Sequence, residues 1–582
     1  MSEIKHQPRN FPGRVGEGFS LAVVLSFTFL TYAWTFTFGW VYDDPPQIPQ
    51  NPYLQWSQLR YLFTHHLWAS TAGMEARFYR PLLSLWFLIN KSLFGLDPHW
   101  FHVTTVLAHV AAAGTAFLIA RKVLRDPGGA LCAAALFGLH PLQVEAVSWV
   151  SAVNDPLAAV LCFSSFLAYR KANTDELTSG TRFWWIISAV SFFLALLTKE
   201  VSVVLPAIIL VDLWTAQADF DATRPSARKI GAIAMGYGSI TVLWLLLRTL
   251  VLGRTSTTGL LVGGISTLLS APKLLLFNFR RVVVPLGLSP HYDLKPVESP
   301  GAPFLIPLGI LIILAGLAIW VARRNPQLWV AYAWLIFPLL PTTNLGWMNQ
   351  DDFAHDRYMY MSMLGVALLA GFAYAKLGRN WPDKGIVPLA CIALMVALGF
   401  ASAIQCQYWA NDVVLFARAI KIAPQNEWSH LNYGTALSAR SRFGEAAQQF
   451  VESYSLKASW QAANYAGYAY QQSGELLQAE HWFTVAVQEN QALASAWLGL
   501  AQIRLEQHQP DDAIGFLERA LAIQPDADGY NYALGLALEQ AARPKDALEA
   551  YKMELRLHPY QVGARKAIER LQNMVPSGPV KP

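Results

Sequence analysis

The chain has 582 residues; aliphatic, aromatic and Cys residues make up 54% of it and charged residues only 14%. A soluble globular protein carries about 25% charged residues, so a wholly soluble fold is excluded. The net charge of +5 comes with no Lys/Arg-rich block and no RNA-binding motif, which argues against nucleic acid as a partner.

Residues 18–405 hold almost all the long apolar runs, and 406–582 hold none long enough to span a bilayer. Two domains are expected, a membrane domain at 1–405 and a helical tail at 406–582. The first apolar run, Phe19–Val41, exceeds 20 residues and lacks a small-residue cleavage site, so it reads as a transmembrane helix and not a signal peptide. Hydropathy places spans near 18–41, 99–120, 128–141, 154–169, 183–198, 201–215, 230–252, 303–322, 327–341, 357–376 and 385–405, about eleven helices. The apolar stretch 268–288 carries Lys273, Arg280 and Arg281 and reads as an interfacial helix lining an entry groove for a lipid, with a true membrane span as the other reading. The four Cys (Cys132, Cys162, Cys391, Cys406) fall in or at the end of apolar runs, spaced as packing residues.

The connections alternate in charge. Lys5, Arg9 and Arg14; Arg121, Lys122 and Arg125; Arg170 and Lys171; Arg224, Arg228 and Lys229; Arg323 and Arg324; and Lys376, Arg379 and Lys384 fall on one side, the cytoplasmic one by the positive-inside rule. The loops 42–98, 142–153, 199–200, 253–302 and 342–356 and the tail then face outward.

The tail repeats. Gly434, Gly467, Ala501 and Gly535 are spaced 33, 34 and 34, and Ala446, Ala479, Ala513 and Ala547 follow in the same register. Small residues at these positions let paired helices approach, and Pro525 and Pro559 close two units. This is the tetratricopeptide pattern, which stacks into an α-solenoid with a concave peptide- or protein-binding groove. Trp428, Tyr433, Tyr465, Tyr468, Trp497 and Tyr530 or their neighbours are expected to line it; oligomerisation is the other role open to the tail.

Chemistry is expected in the outward loops. Tyr42-Asp43-Asp44 directly follows the first helix, and paired acids at the mouth of a span are costly unless they serve a function. Tyr79-Arg80-Pro81, His140-Pro141 with Glu145, Asp155, Lys199-Glu200 and Asp356-Arg357-Tyr358 bring acids and bases to the same face. Each alone also has a structural reading: Lys199 as a snorkelling side chain, Glu145 as a cap, His140 as a satisfied core residue.

In order along the chain, Tyr42-Asp43-Asp44, Tyr79-Arg80-Pro81-Leu82, His140-Pro141-Leu-Gln-Val-Glu145-Ala-Val-Ser-Trp149, Asp155, Leu197-Thr198-Lys199-Glu200 and Arg357-Tyr-Met-Tyr360 resemble the transmembrane and tetratricopeptide-repeat O-mannosyltransferases. The resemblance covers nearly the whole chain. It implies an all-α, multi-pass membrane glycosyltransferase of the GT-C superfamily, in a bacterial-type member. Such an enzyme takes a sugar from a polyprenyl-phosphate carrier to a hydroxyl on the extracytoplasmic face with inversion, Ser or Thr of a protein being the first expectation and a glycolipid or cell-wall polymer the second. It implies Asp43 as general base with Asp44 beside it. Arg80, Lys199 and Arg357 would hold the lipid phosphate, with Tyr79, Tyr360, His140, Glu145, Asp155 and Glu200 around the substrates. No cofactor or divalent metal is implied; the partners are the lipid-linked sugar, an acceptor protein in the repeat groove and membrane lipid. The expected place is a bacterial inner membrane with site and tail facing the periplasm. The chain departs from the family where Gly-Arg-Ala-Asp becomes Ala152-Val153-Asn154-Asp155, where Glu-Arg becomes Asp356-Arg357, and where Pro-Ser becomes Ser362-Met363; these leave the sugar and the carrier length open. A non-catalytic scaffold or transporter is the competing class, disfavoured because the charges sit at helix ends on one face.

Overall fold

The computed structural model describes residues 14–71, 78–173, 179–216, 226–253, 264–343, 352–380 and 385–574. Lys5, Arg9, Arg224 and Lys384 of the charge pattern lie outside the described residues. Those described are helical, with no strand, and fall into two compact units, Met1–Arg418 and Ala419–Pro582.

In the first unit all eleven expected stretches are helical, but they differ in kind. Among the described residues seven helices are long and apolar enough to cross a membrane: Gly16–Thr37, Pro98–Leu124, Val150–Ala172, Ser179–Thr198, Ala227–Leu252, Ala302–Arg324 and Ile386–Trp409. Pro127–Leu139 and Pro141–Ser148 make an eighth if the pair, bent by 50°, is one span. The remaining stretches are short or interrupted for visible reasons. Residues 201–215 open as a 3-10 turn, Glu200–Val204, before the twelve-residue helix Leu205–Ala216. Leu328–Ile336 stops at nine residues, where Pro338 and Pro341 follow. Met363–Asn380 starts only after the turn Asp356–Met359 and carries Lys376 and Arg379. Gly264–Val283 is amphipathic, with Leu269, Leu274, Asn278 and Arg281 buried and Ile265, Leu268 and Val283 exposed.

Apolar attraction between helices is weak in lipid, so small residues decide which helices touch. A Cβ at Gly129 would meet the Gly371 carbonyl oxygen at 2.6 Å. The helices Pro127–Leu139 and Met363–Asn380 cross backbone to backbone at that point.

The second unit is a tetratricopeptide α-solenoid of four helix pairs: Glu427–Ser438 with Phe443–Leu456, Trp460–Gln472 with Leu476–Glu489, Ala494–Glu506 with Pro510–Ile523, and Tyr530–Gln540 with Pro544–Leu557, followed by Val562–Met574. The register glycines have a reason. A Cβ at Gly434 would meet Phe450 at 2.7 Å and one at Gly467 would meet Phe483 at 2.7 Å, the aromatic sixteen residues downstream in each case. In the third repeat Ala501 replaces glycine and Leu517 replaces the aromatic, both fully buried. Volume added on one helix is removed from the other. The turns inside the pairs repeat as well: Ser441, His508 and Ala542 have φ of 58°, 57° and 56°, and Gly474 has φ of 84°. In each, the next residue's N–H reaches back five residues, Arg442 to Leu437 O, Glu475 to Tyr470 O, Gln509 to Arg504 O and Arg543 to Leu538 O, the Schellman closure of a helix end.

Of the aromatics expected in the groove, Tyr465 and Tyr468 are exposed, Trp428, Tyr433 and Trp497 pack against the cores between helices, and Tyr530 is buried. Tyr530 therefore does not line a groove: it closes the core between Ala494 and Ala520.

Candidate active site

Proline at 141 removes a helix N–H and forces the bend after Leu139. His140 at the bend is saturated. Its Nδ1 accepts the Leu142 N–H at 3.2 Å, so the proton sits on Nε2, 3.0 Å from the Val282 carbonyl. His140 is a structural tie to helix Gly264–Val283, not a ligand for substrate. Past the bend Glu145, almost fully buried, accepts the Arg357 backbone N–H at 3.1 Å on Oε2 and the Arg357 guanidinium on Oε1. The guanidinium also lies over the Trp149 ring, 4.9 Å from its centroid.

The two charged dipeptides split. In Lys199-Glu200, at the end of helix Ser179–Thr198, Lys199 donates to Asp155 Oδ1 at 2.5 Å, while Glu200 Oε2 accepts from Arg80 Nε and Nη2 at 2.9 and 2.7 Å. In Asp356-Arg357, Arg357 pairs with Glu145, and Asp356 with Arg281 and the Tyr292 hydroxyl. Opposite charges adjacent in sequence are thus each spent on a distant partner. Arg80, Lys199 and Arg357 all lie within electrostatic reach of Asp155. Three cations from three loops surround one carboxylate at the first turn of helix Asn154–Ala172, where the helix dipole also favours a negative charge. Asp155 Oδ2 and Glu200 Oε1 are buried and meet no donor among the described residues.

The Asp43-Asp44 pair divides its labour. Asp44 is fully buried; its Oδ1 accepts the Ser151 N–H at 2.8 Å and hydroxyl at 2.6 Å, and its Oδ2 the Val41 N–H at 3.1 Å. Burial pushes its carboxyl up to about 7, with the Ser151 and Val41 donors opposing. Implied beside Asp43 as part of the catalytic pair, Asp44 here takes three donors supplied by the protein and pins the loop. Asp43 is half-buried, and no described residue donates a hydrogen bond to its side chain. Burial raises its carboxyl to about 6, although Arg357 and His291 draw it down. The residue before it, Tyr42, has φ of 56°. That conformation costs a bulky L-residue of order 1–3 kcal/mol and persists only where the surroundings impose it.

Two further expectations are corrected. The Tyr79 hydroxyl donates to the Phe63 carbonyl at 3.1 Å, and Tyr79 is buried beside that loop. Tyr360 lies inside the helix bundle, its hydroxyl 2.7 Å from His109 Nδ1, and His109 Nε2 is 3.0 Å from the Gly138 carbonyl. The carbonyl fixes the proton on Nε2, so Tyr360 donates to Nδ1 and serves packing. Asp43, Arg80, Glu145, Asp155, Lys199, Glu200 and Arg357 remain together. The sequence reading overlooked His291 and Asp352, whose Nδ1 and Oδ1 are 2.9 Å apart and which both act on Asp43. Burial works to raise the Asp352 carboxyl, but His291, His355 and Arg357 together outweigh it and hold it below the usual range. His291 sits between Pro290 and Tyr292 in a long loop, in no string that the sequence reading singled out, and residues 344–351 before Asp352 lie outside the described residues.

No family model matches the chain. It is 23% identical over 464 residues to protein O-mannosyl-transferase TMTC1 of Homo sapiens, covering 70% of this chain and 51% of that protein. To protein O-mannosyl-transferase TMTC3 of Mus musculus it is 23% identical over 584 residues, covering 89% of this chain and 62% of that protein. A shorter match of 187 residues to Tmtc1 of Drosophila melanogaster reaches 30% identity, over 31% of this chain and 21% of that protein. The chain spans 51–63% of the length of the first curated relatives it matches. Among solved structures it is similar to a crystal structure of YrrB, a TPR protein with an unusual peptide-binding site, at 14% identity and a TM-score of 0.26, over 34% of this chain and 98% of that one. At that score the likeness carries no argument, and the solenoid rests on the helix pairs themselves. The three O-mannosyl-transferases are distant homologues of this chain.

Proposed function

We propose that this protein is a membrane glycosyltransferase of GT-C type that moves a sugar from a polyprenyl-phosphate carrier to a hydroxyl of an acceptor protein, on the extracytoplasmic face and with inversion. The observation that carries the reading is Asp43: a half-buried carboxylate with no hydrogen-bond donor among the described residues, its pKa raised to about 6, beside Arg357. A base of that strength takes a hydroxyl proton near neutral pH. The acceptor oxygen attacks the anomeric carbon as its proton passes to Asp43, and the carbon–oxygen bond to the lipid phosphate breaks on the opposite side. The leaving phosphate keeps the electron pair and needs cations, which Arg80, Lys199 and Arg357 supply. The open acceptor atoms of Asp155 and Glu200 suit hydroxyl groups of the sugar. Asp44, Glu145 and Asp155 already engage protein donors, and the phosphate leaves without a Lewis acid, so the reaction as proposed uses no resident metal. The names of the relatives support a protein acceptor and mannose-type chemistry, and exposed Tyr465 and Tyr468 in the repeats support a peptide-binding role for the tail. The alternation of positive loops supports an inner-membrane protein whose site and tail face the periplasm.

The test is Asp43→Asn with a synthetic lipid-linked mannose and acceptor peptides. Transfer should fall about 10²–10⁴-fold while the protein level holds. In the wild type the base is active when deprotonated, so the rate should rise with pH through about 6 and then level off. Near-normal transfer by the Asn variant would overturn Asp43 as the base.

A further inference from the structure

Tyr42 stands in a backbone conformation it would not choose, directly before the candidate base. The Asp44 N–H bonds the Val41 carbonyl at 3.0 Å, closing a tight turn over Tyr42 and Asp43, and Asp43 has φ −82° and ψ −4°. Turns with positive φ at the first central residue normally place glycine there. Here a tyrosine is held instead, from two directions. Its N–H donates to Asp412 Oδ1 at 2.7 Å, across 370 residues of sequence. Its ring is packed against Trp149, Phe416 and His291, with centroids 5.2, 5.5 and 5.9 Å away. On the far side of Asp43, Asp44 is fixed by Ser151. Asp43 is therefore the acid of the turn whose side chain takes no hydrogen bond among the described residues, between two neighbours that are anchored.

Asp412 is the first residue of helix Asp412–Ile422, and its neighbour Asn411 accepts the Val414 N–H at 3.2 Å. An aspartate at a helix start commonly accepts that helix's own N–H groups; here Asn411 does so, and an Asp412 oxygen faces Tyr42. We propose that Asp412 is a positioning residue for the base: its carboxylate clamps the Tyr42 N–H, holds the turn in its strained form and so aims Asp43 at the acceptor hydroxyl. Phe416, one turn along the same helix, holds the ring of Tyr42 in place. This rests on the reading of Asp43 as the base, and the clamp itself can be observed without any transfer.

The experiment uses the full chain in detergent. Asp412→Ala should lower kcat for sugar transfer by about 10²-fold, the usual effect of a misplaced reacting group, with KM for the lipid donor unchanged. Asp412→Asn keeps an acceptor oxygen and should recover most of the rate. Hydrogen exchange at the Val41–Asp44 segment should be slow in the wild type and fast in Asp412→Ala. In a Tyr42→Gly background, where positive φ needs no clamp, Asp412→Ala should cost little more. Wild-type transfer and slow exchange in Asp412→Ala would overturn the proposal, as would equal loss in the Ala and Asn variants, which would assign the effect to charge. If Asp412→Ala does not fold, recovery of folded protein by Tyr42→Gly supports the clamp and its failure to recover overturns it. If the wild type transfers no sugar while exchange still responds to Asp412→Ala, the glycosyltransferase reading falls and the clamp stands.

Discussion

The two units of this chain bury opposite things. The repeat unit hides methyl groups, aromatic rings and the gaps that glycine leaves for them, and it keeps most of its charge outside: Arg442–Glu445, Arg543–Asp546 and Lys552–Glu549 are exposed pairs three residues apart, while the buried Glu554 accepts the Gly529 and Tyr532 N–H groups. The membrane unit turns its apolar surface outward and hides charge: Arg80–Glu200, Lys199–Asp155, Arg281–Asp356 and Arg357–Glu145 are buried or nearly so, and their partners lie 120, 44, 75 and 212 residues apart. Exposed pairs contribute little to stability, whereas a buried pair is dangerous to break because it leaves a desolvated charge behind. Substitutions in the two units should therefore differ in kind as well as in size.

The largest effect on stability is expected at Glu145. Glu145→Ala strands Arg357 and should cost about 3–5 kcal/mol, read as loss of the monodisperse protein in detergent or as a lowered thermal midpoint. The sharper form is the double substitution Glu145→Leu with Arg357→Leu, which removes both charges. It should regain much of the lost stability and none of the transfer activity. If it stays as unstable as the single variant, the pair holds the fold by more than charge.

In the repeat unit the effects are smaller and turn on space and backbone. Gly467→Ala places a methyl 2.7 Å from the Phe483 ring, which must shift; about 1–3 kcal/mol should be lost in urea denaturation followed by tryptophan fluorescence. The smallest expected change is a gain. Ala542 holds φ of 56° at the turn between the last two paired helices, and Ala542→Gly should stabilise the unit by about 1 kcal/mol. Loss of stability in that variant would mean the methyl of Ala542 contributes packing that outweighs its strain.

The same contrast explains what the sequence disclosed. The repeats were legible because their determinants are local and periodic: Gly434 and Gly467 recur at the repeat length, and each finds its aromatic at a fixed offset. The left-handed turns share that period but were hidden, since Ser441, His508 and Ala542 have no residue type in common. In the membrane unit the charged loops were visible as a set, yet pairing was not. Nothing in Lys199-Glu200 says that its two charges part company, and nothing in Asp43-Asp44 says which carboxylate the protein consumes. His140 and Tyr360 read as site residues because they sit in suggestive strings, and both prove saturated by partners far along the chain, the Val282 carbonyl and His109. Tyr42 is the extreme case, a strained residue whose restraint lies 370 positions away.

The matched charges at the cluster have a further consequence. Arg80, Lys199 and Arg357 each face a carboxylate of their own, so their positive charges are matched one for one, and Asp43 adds a further negative group above a pH of about 6. A cluster so matched projects no net positive field into the surrounding water, and fields of that kind are what gather dissolved anions from a distance. Free phosphate and nucleotides in the aqueous phase are therefore given no electrostatic lead. An anion would be recognised there only on contact, by exchanging places with a resident carboxylate or sharing its cation. For the lipid-linked donor proposed above, already confined to two dimensions beside the cluster, the membrane itself would do the concentrating that open positive charge does for soluble enzymes.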